Sequence, residues 1–310
     1  MKKMPLVYVL ILNWNGRQLT LDCVCAILKS EYGNFRVVVI DNGSTDGSVA
    51  VLKKKFGRSI TVIENGENLG YARGFNVGLR YAFDECCADY SLIMNNDTII
   101  DAQAMSELVK LAETDKMIGF ATGKVYYYNR PRVLQTVGRH HDPIWWAGEM
   151  VGKGELDEGQ YDEITDRTFI DDIYTLVRRR VYDDTGGYDS LFFLEAEEYD
   201  WQARSKKLGY KTMYTPFAKI WHKDSMTIGK ESAIKAYYDA RNPMLVILLH
   251  RSPSFFKRYF WAHARRRIIR SSLVYLKNGR ISNAIAKWRG LLSGIKWGLI
   301  NKKFTLEHFV

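Results

Sequence analysis

Two hydrophobic periods alternate through the first 115 residues of the chain. Continuous apolar runs at residues 6–12, 35–40, 60–63 and 92–94 predict short buried strands. Between them, residues 19–28, 49–56 and about 70–86 carry apolar positions at helical spacing, and another helix is expected from 101 to about 113. Strands and helices in strict alternation predict an α/β domain whose parallel sheet is covered on both faces. Right-handed crossovers then bring the carboxyl ends of all four strands to one edge. The polar residues leaving those strands gather there: Asn13-Trp14-Asn15-Gly16, the turn from Asp41 to Gly47, Asn65 to Asn68, and Asn95-Asn96-Asp97. An acid at a strand exit suits a ligand at the sheet edge. It equally suits a cap for the following helix, and for Asp97 or Thr98 both readings stand at this level.

Later segments are less periodic. Residues 118–128 are apolar and then aromatic. Trp145-Trp146, with Gly148, Gly152 and Gly154 nearby, reads as a loop or hairpin whose indoles either stack on a sugar ring or pack beneath the loop. The acidic stretch 155–172 reads as a solvated face. A strand is expected at 170–177 and a helix at 178–184. Gly186-Gly187-Tyr188 leads to Glu197, Glu198, Asp200 and Trp201 at the start of a helix expected to reach about 208. Acids in a first turn favour the helix dipole, but three exceed what capping requires, and aromatic neighbours could raise the pKa of one. A final strand in Lys219-Ile220-Trp221-His222-Lys223-Asp224-Ser225 delivers His222.

Charge divides the chain. Residues 241–310 hold 15 Lys or Arg and one acid, Glu307, for +14; the remaining 240 hold 30 bases and 34 acids, for −4, giving the net +10. In the basic part Phe255, Phe256, Phe260, Trp261, Ile268, Ile269, Leu273 and Leu276 interleave with arginines and lysines. That pattern suits helices lying on an anionic membrane surface, and also helices packed on the preceding domain. Nucleic acid is not expected as a partner, because nothing resembles a reading module. No apolar run approaches the roughly 20 residues needed to span a bilayer. The amino-terminal run is short and lacks a small-residue cleavage site, so a cytoplasmic protein, peripheral on the inner face of the cell membrane, is expected. Cys23, Cys25, Cys86 and Cys87 have no neighbouring histidine and read as buried reduced thiols rather than a zinc site.

The candidate edge lacks both Gly-x4-Gly-Lys-Ser/Thr and a Gly-x-Gly-x-x-Gly after the first strand, which disfavours P-loop hydrolases and dinucleotide redox enzymes. Gly70, Gly74 and Gly78 share one helix face and predict close packing on the sheet. Near the helix start, Gly70, Gly74 and Arg73 could instead approach a diphosphate. Asp41 could accept a hydrogen bond from a base or ribose, and Asp97 has the charge a phosphate-bridging divalent cation requires.

Three ordered segments, Ile11-Leu12-Asn13-Trp14-Asn15-Gly16, Val39-Ile40-Asp41-Asn42-Gly43-Ser44-Thr45-Asp46-Gly47-Ser48 and Asn68-Leu69-Gly70-Tyr71-Ala72-Arg73-Gly74-Phe75-Asn76, are similar to those of family 2 glycosyltransferases. Met94-Asn95-Asn96-Asp97-Thr98 stands where that family has its metal-binding Asp-x-Asp motif. The resemblance extends over roughly residues 5–240 and is greatest to bacterial rhamnosyltransferase-like members.

It implies the GT-A nucleotide-diphospho-sugar transferase fold over residues 1–240. A donor half would cover 1–115 and an acceptor half 116–240, followed by a basic amphipathic helical tail over 241–310. It implies an inverting transfer from a nucleotide-diphosphate sugar to a glycan or lipid-linked acceptor in cell-surface polysaccharide assembly, with Mg2+ or Mn2+ as cofactor. Asn13, Asn15, Asp41, Asn68, Gly70, Arg73, Asn76, Asn95 and Asn96 are the implied donor-site residues, and Asp97 and His222 the implied metal ligands. Glu198 is the implied general base, with Glu197 as alternative and Asp200 beside them. Trp145, Trp146 and Trp201 are acceptor candidates. The chain departs from the family pattern at Asn95, which replaces the first acid of the triplet, and at Glu198, where aspartate is usual.

Overall fold

The structure, a computed structural model, describes residues 4–223, 232–301 and 303; Asp224, Ser225 and the end of the basic tail lie outside the described residues. The amino-terminal half contains β1 (Val7–Asn13), α1 (Arg17–Ile27), β2 (Phe35–Asp41), α2 (Ser48–Phe56), β3 (Thr61–Glu64), α3 (Gly70–Arg80), β4 (Tyr90–Asn95), β5 (Thr98–Ile100) and α4 (Ala104–Ala112). Strands β4, β1, β2 and β3 lie side by side and all parallel, as the alternating pattern predicts. Because strand side chains point alternately to opposite faces, each apolar run feeds two cores. Val9, Ile11, Val39, Leu92 and Met94 pack with α1 and α4. Leu10, Val38, Ile40 and Ile93 pack with Phe75 and Leu79 of α3. Each such fully buried aliphatic side chain contributes on the order of 1.5–3 kcal/mol. Gly74 and Gly78 let α3 sit close to the sheet: a Cβ on either would lie 2.7 Å from Leu12 or Ile40.

The second half adds β6 (Ile118–Tyr127), β7 (Arg130–Thr136), a separate hairpin of β8 (Arg139–Asp142) and β9 (Trp146–Met150), then β10 (Thr165–Asp166), β11 (Tyr174–Arg178), α5 (Arg179–Thr185), α6 (Glu197–Lys207) and β12 (Lys211–His222). Here the sheet is no longer purely parallel. Strand β11 runs antiparallel between β4 and β6, so the order is β10-β12-β6-β11-β4-β1-β2-β3, with β5 paired to β12 and β7 to β6. The pairing of β5 with β12 sets His222 opposite Thr98, one residue from Asp97.

Four helices follow: α7 (Ala233–His250), α8 (Pro253–His263), α9 (Ser271–Lys277) and α10 (Ile281–Ile300), with a π-helical stretch at Ala264–Arg270 joining α8 to α9. The division expected at 240/241 falls inside α7. That helix buries Leu245 and Val246 against the α3 side of the sheet domain and Met244, Ile247 and Leu248 against α8 and α10. Among the described residues no helix is long and apolar enough to cross a membrane. All four cysteines are free; Cys23 is buried, but Cys87 is exposed, contrary to the expectation of four buried thiols.

Candidate active site

At the carboxyl edge of the parallel strands the polar residues bind mostly one another. The Asn13 amide donates to Asp41 Oδ1 at 2.7 Å and to Ser44 Oγ at 3.0 Å, and its Oδ1 accepts from Thr20 at 2.7 Å. The Ser44 backbone N–H donates to Asp41 Oδ2. Asn15, at φ 51°, accepts from the Thr45 N–H and ties the first loop to the second. Asn13, Asp41 and Asn96 are all buried, and Asn96 donates to Thr20. Fully enclosed Asn13 is thus a positioning residue that orients the Asp41 carboxylate.

Two expectations for the α3 start are corrected. The Gly70 N–H donates to Asn68 Oδ1 and the Tyr71 N–H to the Phe193 carbonyl, so these amides already have partners. Gly70, at φ 80°, is needed because a Cβ would lie 2.5 Å from the Phe193 oxygen. The residue admits a protein loop where a diphosphate was expected. Asn76 likewise uses both ends of its amide on the Tyr188 backbone, at 2.8 and 3.0 Å. Arg73 is exposed. Asn95 is half-buried, with its Oδ1 3.5 Å from the Tyr71 hydroxyl.

Asp97 and His222 do come together: Asp97 Oδ1 lies 3.0 Å from His222 Nε2, and both side chains are buried. The His222 Nδ1 is 2.9 Å from Gln135 Oε1. With Nδ1 held by Gln135, the Nε2 edge of the ring is aimed at the Asp97 carboxylate, and a cation held there would take the Nε2 lone pair and a carboxylate oxygen together. One carboxylate and one imidazole, so oriented, fit Mn2+ or Mg2+. Among the described residues no group of three or more acids, histidines or cysteines could hold a metal. The remaining ligands would have to be water or the donor's phosphates.

The second part of the site is the turn into α6. Glu195 and Ala196 both sit in the left-handed region, at φ 69° and 70°. Such conformations cost on the order of 1–3 kcal/mol per non-glycine residue and persist only where surroundings enforce them. Here α7 enforces them: the buried Asn242 amide donates to the carbonyls of Leu194 (2.7 Å) and Glu195 (3.0 Å), and Lys235 ion-pairs with Glu195. The three acids that follow separate by environment. Glu197 is buried, its Oε2 has no partner among the described residues, and burial pushes its pKa up to about 8. Glu198 is half-buried and lines a cavity of about 1100 Å³. Burial, followed by the Glu197 and Asp172 charges, raises its pKa well above the ordinary carboxylate range. Asp200 is buried and bound on both oxygens, to His250 and to Arg204 at 2.8 Å each, and stays below the usual range through these partners despite its burial. It fastens α7 to α6 and has no oxygen left for substrate.

Trp145 and Trp146 line the same cavity as Glu198. They also pack, Trp145 edge-on to Tyr259 at 5.5 Å and Trp146 edge-on to Phe169 at 4.9 Å, as the packing reading of this pair expects. Trp201 does not belong to the site. It is enclosed between Phe120 and Tyr188, and its indole N–H donates to Thr185.

Several contributors were missed in sequence. Arg139 bridges Asp171 at 2.8 Å and donates to the Gly148 carbonyl, holding the hairpin at the cavity wall. Asp172, its pKa pushed up to about 6 by burial, accepts from the Tyr188 hydroxyl. The solvated face expected over 155–172 therefore ends in a buried acid, Asp171, and a half-buried one, Asp172. A signal existed: Asp171 and Asp172 interrupt the apolar run Phe169-Ile170 and Ile173-Tyr174. Gln135, Lys235 and Asn242 carried none.

Among curated proteins, the chain is 23% identical over 223 residues to a poly-beta-1,6-N-acetyl-D-glucosamine synthase of Staphylococcus aureus (strain COL), covering 71% of this chain and 50% of that protein. It is 25% identical over 250 residues to the uncharacterized protein y4gI of Sinorhizobium fredii (strain NBRC 101917 / NGR234), covering 74% and 26%. The chain thus spans half or less of the length of these relatives, neither of which is named as a rhamnosyltransferase. Among solved structures, a mannosyltransferase from Pyrobaculum calidifontis in complex with GDP-Man and Mn2+ superposes with a TM-score of 0.57 at 18% identity, covering 97% of this chain and 83% of that one. GalNAc-T7 with UDP, GalNAc and Mn2+ gives 0.60 at 14% identity, covering 85% and 55%. The fold is the GT-A fold. The glycosyl transferase family 2 model matches residues 8–186, more than half of the chain, and the chain belongs to that family.

Proposed function

We propose that the protein is an inverting glycosyltransferase that moves a sugar from a nucleotide-diphosphate donor to a hydroxyl of a glycan or lipid-linked acceptor in cell-surface polysaccharide assembly. One observation carries this reading: a proton-hungry carboxylate, Glu198, faces a roomy cavity in a family 2 domain whose strand edge presents Asp41, Asp97 and His222. Asp41, oriented by Asn13 and Ser44, would accept a hydrogen bond from the base or ribose, and Asn95 offers its amide nearby. Asp97 and His222 would hold a divalent cation, which when bound neutralises charge on the diphosphate leaving group. Glu198 would take the acceptor hydroxyl's proton as that oxygen attacks the anomeric carbon from the face opposite the diphosphate, which inverts the centre. The solved relatives hold GDP-mannose, or UDP with GalNAc, alongside Mn2+, and the Staphylococcus relative is named for a GlcNAc polymer. Nothing in the site singles out rhamnose.

A location on the inner face of the cell membrane is part of the same proposal. On α10, Ile281, Ile285, Trp288, Leu292 and Leu299 are exposed and fall on one stripe at helical spacing. Arg289 and Lys296 flank it, the pattern of a helix resting in an anionic interface.

A screen of nucleotide sugars with Mn2+ or Mg2+ tests the reading. Nucleoside diphosphate release with transfer to an acceptor supports it. Pyrophosphate-dependent formation of a sugar nucleotide would instead mark a nucleotidyltransferase, and no metal-dependent donor binding would mark a non-catalytic scaffold.

A further inference from the structure

We propose that Phe193 is a positioning residue: the peg through which the donor edge holds the turn that carries Glu198. This rests on the glycosyltransferase reading and adds to it a link between the two halves of the site. Three successive carbonyl oxygens precede α6, and each is held from outside the turn. The Phe193 carbonyl accepts from the Tyr71 N–H of α3 at 2.7 Å, and the Leu194 and Glu195 carbonyls accept from the Asn242 amide of α7 at 2.7 and 3.0 Å. The Phe193 ring spans the same gap. On one side a Cβ at Gly70 would lie 2.5 Å from it, and on the other it stacks on Tyr238 of α7 at 5.4 Å and 19°. Arg241 adds a bond to the Leu191 carbonyl at 3.2 Å. The left-handed pair Glu195 and Ala196 lies within this grip, so α3 and α7 together fix the strained turn from two sides.

The start of α3 is itself tied to the donor edge. Asn42, the residue after Asp41, is buried and uses both ends of its amide there. Its Nδ2 donates to Asn68 Oδ1 at 3.0 Å and to the Gly70 carbonyl at 3.1 Å. Its Oδ1 accepts from the Asn65 amide at 3.0 Å and from the Leu69 N–H at 3.2 Å. Tyr71 reaches the opposite flank, where its hydroxyl donates to the Asp172 carbonyl at 3.0 Å and lies 3.5 Å from Asn95 Oδ1. A continuous series therefore runs from Asp41 through Asn42, Gly70 and Tyr71 to Phe193, and along the chain to Glu198. Each step is a covalent link, a hydrogen bond or a close contact. Such a series passes displacement on, because a close-packed interior has no slack to absorb it. A nucleotide that settles Asp41 thereby settles the Phe193 peg, and a shift of about 1 Å in a reacting group costs about 10²-fold in turnover.

Hydrogen–deuterium exchange on the full chain, with Mn2+ and UDP, GDP or dTDP in turn, reads this link without any turnover. A nucleotide bound at the edge should slow exchange at residues 41–47 and also at 193–200 in the wild type. Phe193→Leu should keep nucleotide affinity within about threefold by calorimetry, yet lose the slowing at 193–200. It should also lower the turnover of Mn2+-dependent donor hydrolysis by about 10–100-fold with the donor KM unchanged. Phe193→Tyr keeps the ring and should restore both readouts. Gly70→Ala pushes a methyl group into the peg and should reproduce the effects of Phe193→Leu independently. Unchanged exchange and turnover in Phe193→Leu would overturn the assignment. So would a joint loss of affinity and turnover with a lower melting temperature, which would make Phe193 a packing residue only. If wild-type exchange slows at 41–47 alone, the link fails while the transferase reading stands. If none of the three nucleotides slows exchange anywhere, the donor reading fails, and the link with it.

Discussion

The strand edge proposed for the donor and the turn proposed for the acceptor are built on opposite principles. At the edge, Asn13, Thr20, Asp41, Ser44 and Asn96 satisfy one another through short hydrogen bonds among two strand ends, the start of α1 and two loops. At the turn, two residues are held in left-handed conformations, Glu197 has an oxygen with no partner among the described residues, and burial together with the charges of neighbouring acids pushes up the pKa of Glu197 and Glu198. The first arrangement presents fixed groups to a charged ligand at little cost. The second keeps a carboxylate hungry for a proton, which is what a general base requires, and borrows its rigidity from α7.

The sharpest way to break this contrast is at Glu198. Replacing it with glutamine should lower turnover by about 10²–10⁴-fold while donor affinity, measured by calorimetry, stays near wild type. Glu197→Gln should lose far less, because that side chain is buried away from the cavity. The reverse ranking would transfer the base role to Glu197. At the edge the loss should appear in the other parameter: Asp97→Ala, or chelation of the cation, should weaken donor binding as well as turnover. Gln135→Ala, which frees the His222 ring, should weaken metal affinity about 10–100-fold. Asn242→Ala tests whether α7 really governs the turn. It should cut turnover with a stability loss of about 1–3 kcal/mol by denaturant titration, leaving donor affinity unchanged.

The same contrast explains what was legible in the chain. Each donor-edge residue follows directly on its own apolar run, so period and turn chemistry located Asn13, Asp41 and Asp97 without any tertiary information. Their division of labour was not visible. Asn13, Asn68 and Asn76 read as ligand contacts, yet each holds protein atoms, because a buried amide must satisfy both its ends. The acceptor side depends on pairings at long range. Asn242 reaches Leu194 across 48 residues and His250 reaches Asp200 across 50, separations over which no local pattern carries information. A division at 240/241, expected from the extent of the resemblance and the change of charge, therefore falls inside the helix that holds the turn. Arg241 begins the basic excess, but its neighbour Asn242 belongs to the site.

The smallest expected effect concerns pH, and it separates burial from catalysis. Glu197, with its pKa pushed up to about 8, is protonated in both folded and unfolded chains below its ordinary value of 4.5. Between 4.5 and about 8 only the folded chain holds that proton. This contribution to stability is therefore full at low pH and is lost as pH rises through 8, where folding must bury a charge. Asp172, pushed up to about 6, acts in the same direction over a lower window. Glu197→Gln carries no titrating proton at this position, so its melting temperature should fall less than the wild type's between pH 5 and 9, by a difference on the order of a few degrees. Parallel curves for the two proteins would mean that Glu197 is charged in the fold, and the acidic turn would then be held by ion pairing, as Asp200 is.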